Sequence, residues 1–250
     1  MSPENSSVKK AIVVGASRGL GHGIATTLAQ AGASVTAVGR NHSALADLAQ
    51  AAGNIQPEAA DATDPTVAGR MLDRYDPQAL VLVAGASPLL RPLQHHTWET
   101  FSANWDTDVR MAFHWLREAL LKPLRPDARV VVISSGAALQ GSPLSGGYAG
   151  AKATQRFITA YAQEEANREG LDLTFTAVLP RITPLTDLGR LAVQAYAARS
   201  GQTEEEYMQP MGPAVTPKAA GAAVLELLQA DSASIASAYL LTGAGVKPIP

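Results

Sequence analysis

Six short, nearly unbroken apolar runs constrain this chain more than any other feature. They lie at 11–14, 35–38, 80–84, 130–134, 174–179 and 239–242, with a weaker candidate at 55–59. A strand covered by helices on both faces has no solvent side and reads as a continuous apolar run, whereas a half-exposed antiparallel strand alternates. Helical periodicity fills the gaps: 20–31 carries Ile24 and Leu28 and stops at Gly32, and 43–52 repeats the pattern and stops at Gly53. Both glycines read as helix C-caps. Strand and helix alternating in this way predict a doubly wound parallel sheet, seven strands in all, in a three-layer α/β/α arrangement. At 250 residues and 46% hydrophobic, with no repeat or linker, the chain is expected to form one domain over 1–250. The stretch 180–217 stands apart as long, proline-interrupted and mixed helical, the profile of a lid, placed at about 184–217.

Charge narrows the partners. Twenty basic against 22 acidic residues, with no extended run of either, leave no footprint for nucleic acid or an anionic membrane, so a small molecule is the expected partner. The absence of cysteine excludes disulfides and thiolate chemistry. Residues 1–10 are polar and lack the apolar stretch of a signal peptide, and nothing approaches the roughly 18 apolar residues of a membrane span. A cytoplasmic protein is the expectation.

The segment Gly15-Ala16-Ser17-Arg18-Gly19-Leu20-Gly21 follows the first strand and opens the first helix. In that context glycines permit a tight turn and close backbone approach, while free N–H groups at the helix start favour a pyrophosphate. The alternative is a merely structural turn. The second strand ends at Gly39-Arg40 with no acid to bind a ribose 2′-hydroxyl, and Arg18 lies in the glycine loop. Two cations there favour the 2′-phosphate of NADP(H) over NAD, unless both are ordinary surface arginines.

Tyr148 and Lys152 stand four apart at the start of a helical segment, 148–167, and therefore share one face. A nearby ammonium stabilises a phenolate and makes tyrosine usable as an acid–base group near neutrality. Ser135, thirteen residues before Tyr148, ends a strand where open α/β sheets place ligands. A Tyr-x-x-x-Lys pair alone also arises by chance on amphipathic helices.

Taken together, these residues resemble the short-chain dehydrogenase/reductase family, from about Lys10 to Gly243. Gly15, Gly19 and Gly21 match its glycine motif, with Val14 where Thr is usual. Ala84 and Gly85 match the end of its Asn-Asn-Ala-Gly motif, with Leu82 and Val83 in place of the asparagines; Asp61 matches the acid that contacts adenine. The resemblance implies a Rossmann-like fold and hydride exchange between nicotinamide and a carbonyl or alcohol. Tyr148 would give the proton, Ser135 would polarise the substrate oxygen, and Lys152 would bind the nicotinamide ribose and tune the tyrosine. It further implies cofactor contacts from Ser17, Leu20, Ala62, Ala86, Pro180, Ile182 and Thr183.

Two departures from the family pattern stand out. Asp108 aligns with the fourth catalytic residue, usually Asn, whose backbone carbonyl holds a water in a relay to Lys; a carboxylate there would also attract Lys152. Arg181 follows Pro180 where Gly is usual, and since a side chain disfavours positive φ the turn is expected to differ, with Thr183 or Thr186 as the threonine that follows.

Plainer readings cover other features. His95-His96 reads as a loop surface pair rather than a metal site, because adjacent side chains diverge and no third ligand is suitably spaced. Trp98, Phe101, Trp105, Phe113, Trp115 and Leu116 read as one long helical stretch packing on the sheet or on a partner subunit. The resemblance implies a homodimer or homotetramer. Glu164-Glu165 and Glu204–Glu206 read as solvated helix faces. Substrate choice is assigned to the lid, to Leu89-Leu90, to 140–144 and to Lys247–Pro250, which suggest a small to medium apolar substrate. Two rivals remain: a non-catalytic NADP(H)-binding regulator or scaffold on the same fold, and an epimerase or dehydratase relative, which would be longer with different glycine spacing.

Overall fold

The computed structural model describes residues 8–250; most of the polar N-terminal stretch, 1–7, lies outside it. In chain order the elements are β1 (Lys10–Val14), α1 (Gly19–Gln30), β2 (Ser34–Gly39), α2 (His42–Ala52), β3 (Ile55–Ala59), α3 (Pro65–Tyr75) and β4 (Ala79–Leu82). There follow α4 (Trp98–Asn104), α5 (Arg110–Leu121), β5 (Ala128–Ile133), α6 (Ala137–Gln140), α7 (Tyr148–Arg168) and β6 (Leu173–Pro180). The chain closes with α8 (Asp187–Ser200), α9 (Glu204–Met208), α10 (Pro217–Gln229), β7 (Ala238–Thr242) and β8 (Gly245–Ile249).

The apolar runs are largely buried because each has two covered faces. Along β1, Ala11 and Val13 join a core with Ile24, Leu28, Leu45 and Val224 on one side of the sheet. Ile12 and Val14 join a second core with Val67, Met71, Met111 and Trp115 on the other. Local chemistry sets the helix starts: Asp64 accepts from the Thr66 N–H ahead of α3, whose first residue is Pro65, and Thr216 caps α10 in the same way before Pro217. Helices α1 and α10 cross tightly. A Cβ on Gly23 would lie 2.3 Å from the Pro217 carbonyl oxygen, and one on Gly221 would lie 2.1 Å from the Thr27 hydroxyl.

The sheet order is β3-β2-β1-β4-β5-β6-β7-β8. The chain winds outward from β1 through β2 to β3, then returns to β4 on the other side of β1, so a crevice opens above the carboxyl ends of β1 and β4. The seven expected strands are all parallel, but the sheet has an eighth. β8 runs antiparallel to β7, with Ala238 opposite Ile249 and Thr242 opposite Gly245. Its sequence, Gly245-Val246-Lys247-Pro248-Ile249, has no apolar run because it is an edge strand; the opposite edge, β3, also carries a proline, Pro57. The antiparallel return takes Lys247–Pro250 toward the amino end of β7, away from the crevice, which overturns the expectation that this tail borders the site.

The aromatic stretch is one continuous helical run, as expected, but it contains a π turn. This turn, over Trp105–Val109, joins α4 to α5, adding a residue to that turn of the helix. Trp115 and Leu116 pack on the sheet as expected, with the indole N–H of Trp115 donating to the Ala62 carbonyl at 3.1 Å. Trp98 stacks on Phe101 and, with Phe113, stays exposed. On β5, Arg129 is only 8% exposed; its guanidinium donates to the carbonyls of Leu227 (3.0 Å) and Ala230 at the end of α10.

Candidate active site

β1 ends against both neighbours: the Gly15 N–H donates to the Val38 carbonyl, and the N–H groups of Val83 and Ala84 donate to the Val14 carbonyl. This pins the glycine turn against the loop after β4 so closely that a Cβ on Gly15 would lie 2.5 Å from the Ala84 nitrogen. One on Gly21 would lie 2.1 Å from the Gly15 carbonyl oxygen. Helix α1 begins in this cradle with no side-chain cap and no acid in its first turn, so its first N–H groups are left for a ligand.

A cleft of about 370 Å³ runs from the cradle across the ends of the strands. It is lined by Gly15, Ser17, Arg18, Gly19, Leu20 and Gly21, then by Arg40, Asp61 and Ala62, then by Ala84, Gly85 and Ala86. Asp108, Ile133, Ser134, Tyr148 and Lys152 form its inner end, and Thr186, Asp187 and Leu188 reach it from the segment after β6. At the outer end Arg18 and Arg40 are exposed and, among the described residues, neither is in an ion pair. The Asp61 carboxylate accepts from the Thr63 N–H (3.0 Å) and hydroxyl (2.8 Å). These bonds, and more weakly Arg40, hold it below the usual carboxylate range.

At the inner end Tyr148 opens α7, and the Lys152 ammonium, one turn later, lies 5.6 Å from its ring centre. Lys152 is 4% exposed. Its Nζ is 3.1 Å from Asp108 Oδ2, and it donates to Gln155 Oε1 at 2.9 Å and to the Ile133 carbonyl at 3.5 Å. Burial works against the ammonium, but the Asp108 charge, followed by Tyr148, outweighs it and leaves the pKa raised. Asp108 is itself wholly buried and anchored: Oδ1 accepts from the Ala86 N–H at 2.8 Å and from Asn104 Nδ2 at 3.4 Å. The attraction of Asp108 for Lys152 thus matches the sequence reading. The Asp108 backbone carbonyl accepts from Gln155 Nε2 at 2.8 Å.

Four other expected site residues lie off the cleft lining. Ser135 lies two residues beyond β5, and its hydroxyl accepts from the Ala137 N–H at 3.2 Å; its neighbour Ser134 lines the cleft, donating to the Lys152 carbonyl at 2.7 Å. Pro180 ends β6, with Ile182 just beyond it. Arg181 keeps a negative φ, and its N–H donates to the Leu241 carbonyl, so strand pairing continues past Pro180 without the left-handed turn a glycine would allow. Thr183 is buried and accepts from the Leu185 N–H; Thr186, which caps α8, is the threonine on the cleft. His95 is exposed as expected, but the half-buried His96 ring sits between the Thr100 hydroxyl and the Arg91 carbonyl, both at 3.2 Å. Asn104, Gln155 and Ser134 were missed. Gln155 alone had a signal, since it stands one turn from Lys152 on the same helix.

Among known families, the one described as short chain dehydrogenase matches residues 9–196. The chain belongs to that family. As a short-chain dehydrogenase it is an oxidoreductase by family, and its relatives include reductases. It is 26% identical over 187 residues to an uncharacterized oxidoreductase of Staphylococcus epidermidis, covering 72% of this chain and 80% of that protein. It is 27% identical to a hydroxynaphthalene reductase-like protein of Metarhizium majus, covering 98% and 97% of the two chains. Among solved structures, a 3-oxoacyl-[acyl-carrier protein] reductase from Brucella melitensis in complex with NAD shares the fold, with TM-score 0.77 and 24% identity over 95% of this chain and 96% of that one. The short-chain dehydrogenase cleft therefore combines a cradle closed to side chains with a phenol beside a buried ammonium, which suits a phosphate-bearing cofactor at one end and proton exchange at the other.

Proposed function

We propose that this short-chain dehydrogenase transfers a hydride between NADP(H) and a carbonyl or alcohol. The observation that carries the reading is the Tyr148–Lys152 pair at the inner end of a cleft whose other end is a glycine cradle under the uncapped start of α1. Gly15, Gly19 and Gly21, with Thr186 facing Gly19, would hold the pyrophosphate, Asp61 and Ala62 the adenine end, and Ala84–Ala86 the middle. Arg18 and Arg40 supply two cations at the outer end, where the Asp61 carboxylate is engaged through Oδ1 by Thr63, and this balance favours a 2′-phosphate. When bound, the nicotinamide supplies or takes the hydride. Tyr148 gives or takes the proton at the substrate oxygen, Lys152 keeps a positive charge beside the phenol, and Ser135 polarises that oxygen.

The segment 184–217 acts as the lid. Tyr196 of α8 stacks on Tyr207 of α9 (ring centres 6.1 Å apart), and its hydroxyl lies beside Leu144 and Ser145 in the loop before Tyr148. Leu185 and Leu191 are exposed. These side chains suit a small or medium apolar carbonyl, in keeping with the name of the Metarhizium relative; turnover of highly charged compounds alone would defeat this part. The exposed aromatics of the π turn, α5 and α7 suit a homodimer or homotetramer.

The test is binding of NADPH and NADH to the purified protein, side by side, by reduced-nicotinamide fluorescence. NADPH is expected to bind at least about tenfold more tightly, about 1.4 kcal/mol, followed by turnover in an NADPH-driven carbonyl screen. Preference for NADH overturns the cofactor assignment, and binding of neither overturns the catalytic reading.

A further inference from the structure

An oxidised nicotinamide ring carries a positive charge and a reduced one is neutral, so the charge around the ring decides which form a site prefers. Hydride transfer requires the ring to lie at the Tyr148 end of the cleft, and the nearest buried cation there is Lys152. An uncompensated ammonium in so dry a place would repel the oxidised ring. Asp108 removes that repulsion: its carboxylate is wholly buried, lies 3.1 Å from Lys152 Nζ and lines the same cleft. It also sits directly behind the cleft wall, since a Cβ on Gly85 would lie 2.7 Å from Oδ2. Oδ1 accepts from the Ala86 N–H and Asn104, while Oδ2 meets only Lys152, so the neighbouring full positive charge is that of Lys152 alone. Another cleft carboxylate, Asp187, is exposed and belongs to the wall near Gly19, where Thr186 faces the cradle; solvent screens it.

We infer that Asp108 determines the redox selectivity of the cofactor site: by neutralising Lys152 it lets the enzyme hold the oxidised cofactor as well as the reduced one. The inference rests on the proposed function, and two charge deletions of opposite sign separate the two. Asp108→Asn leaves a net positive floor and Lys152→Met a net negative one, with little change of shape in either.

The measurement is the dissociation constant of NADPH, by fluorescence, and of NADP⁺, by calorimetry, for wild type and both variants at about pH 6, well below the lysine range. Asp108→Asn is expected to raise the NADP⁺/NADPH ratio of dissociation constants about tenfold, and Lys152→Met to lower it by a similar factor. The double variant should return it toward wild type, and Asp187→Asn should leave it within about twofold. General damage to the cleft weakens both forms together and cannot give shifts of opposite sign. Ratios unchanged in both single variants, with both cofactors still bound, overturn the inference and leave the proposed function standing; failure of wild type to bind either cofactor overturns both.

Discussion

Asp108 and Lys152 are buried together, 3.1 Å apart, so removing one partner strands the charge of the other. Such losses cost about 3–5 kcal/mol in buried pairs, which makes Asp108→Asn a better probe of activity than Asp108→Ala. The raised pKa of Lys152 fixes the sign of the pH effect. Its contribution to stability is fully present below the ordinary lysine value of 10.5 and is lost as pH rises through the raised folded value. In Asp108→Asn the main upward influence is gone and burial acts against the ammonium. The alkaline limb of the pH profile of kcat/KM is therefore expected to move toward neutrality while activity is retained at lower pH; an unmoved limb would show that Asp108 does not govern the charge. Tyr148, Lys152 and Asp108 were legible because their types and spacing match a known pattern. Asn104 was not, and the spacing of Gln155 from Lys152 went unread, because an amide on an amphipathic helix reads as surface; their bonds to the Ala86 and Asp108 carbonyls show both to be buried.

Among the elements, β5 and α10 are joined by an interaction that no sequence period announces. Arg129 sits in a central strand, 8% exposed, and satisfies two carbonyls at the end of α10, where a helix presents partial negative charge. Arg129→Met keeps the bulk but leaves those carbonyls unpaired, and is expected to cost about 2–3 kcal/mol, read as a lower midpoint in urea unfolding with cofactor binding intact. An unchanged midpoint would mean that water replaces the guanidinium. Parallel strands were legible to within a residue or two because double burial writes them as apolar runs. β8 was not, since an exposed edge strand needs only one apolar face and tolerates Lys247 and Pro248. The π turn was not, because one added residue within a long apolar-rich helix is a phase shift that no single residue type marks.

For the molecule as a whole, the alternation of strands and helices foretold the three layers, the winding and the position of the crevice; the final antiparallel return was missed. The surface carries one concentration of unshielded aromatic groups: Trp105 in the π turn, Phe113 on α5, and Phe157 with Tyr161 one turn apart on α7 are all 42–57% exposed. These adjoining elements are expected to meet a second copy. Sedimentation should show a dimer or tetramer that Phe157→Glu dissociates, and a monomeric wild type would refute the assembly. The two margins of the sheet point the other way. Pro57 in β3 and Pro248 in β8 have no N–H to lend to an incoming strand, and Lys247 adds a charge that would have to be stripped of water. A sheet ended in this manner resists templated growth, so crowding or mild heating should not turn this protein into a nucleus for fibrous aggregates through its sheet edges.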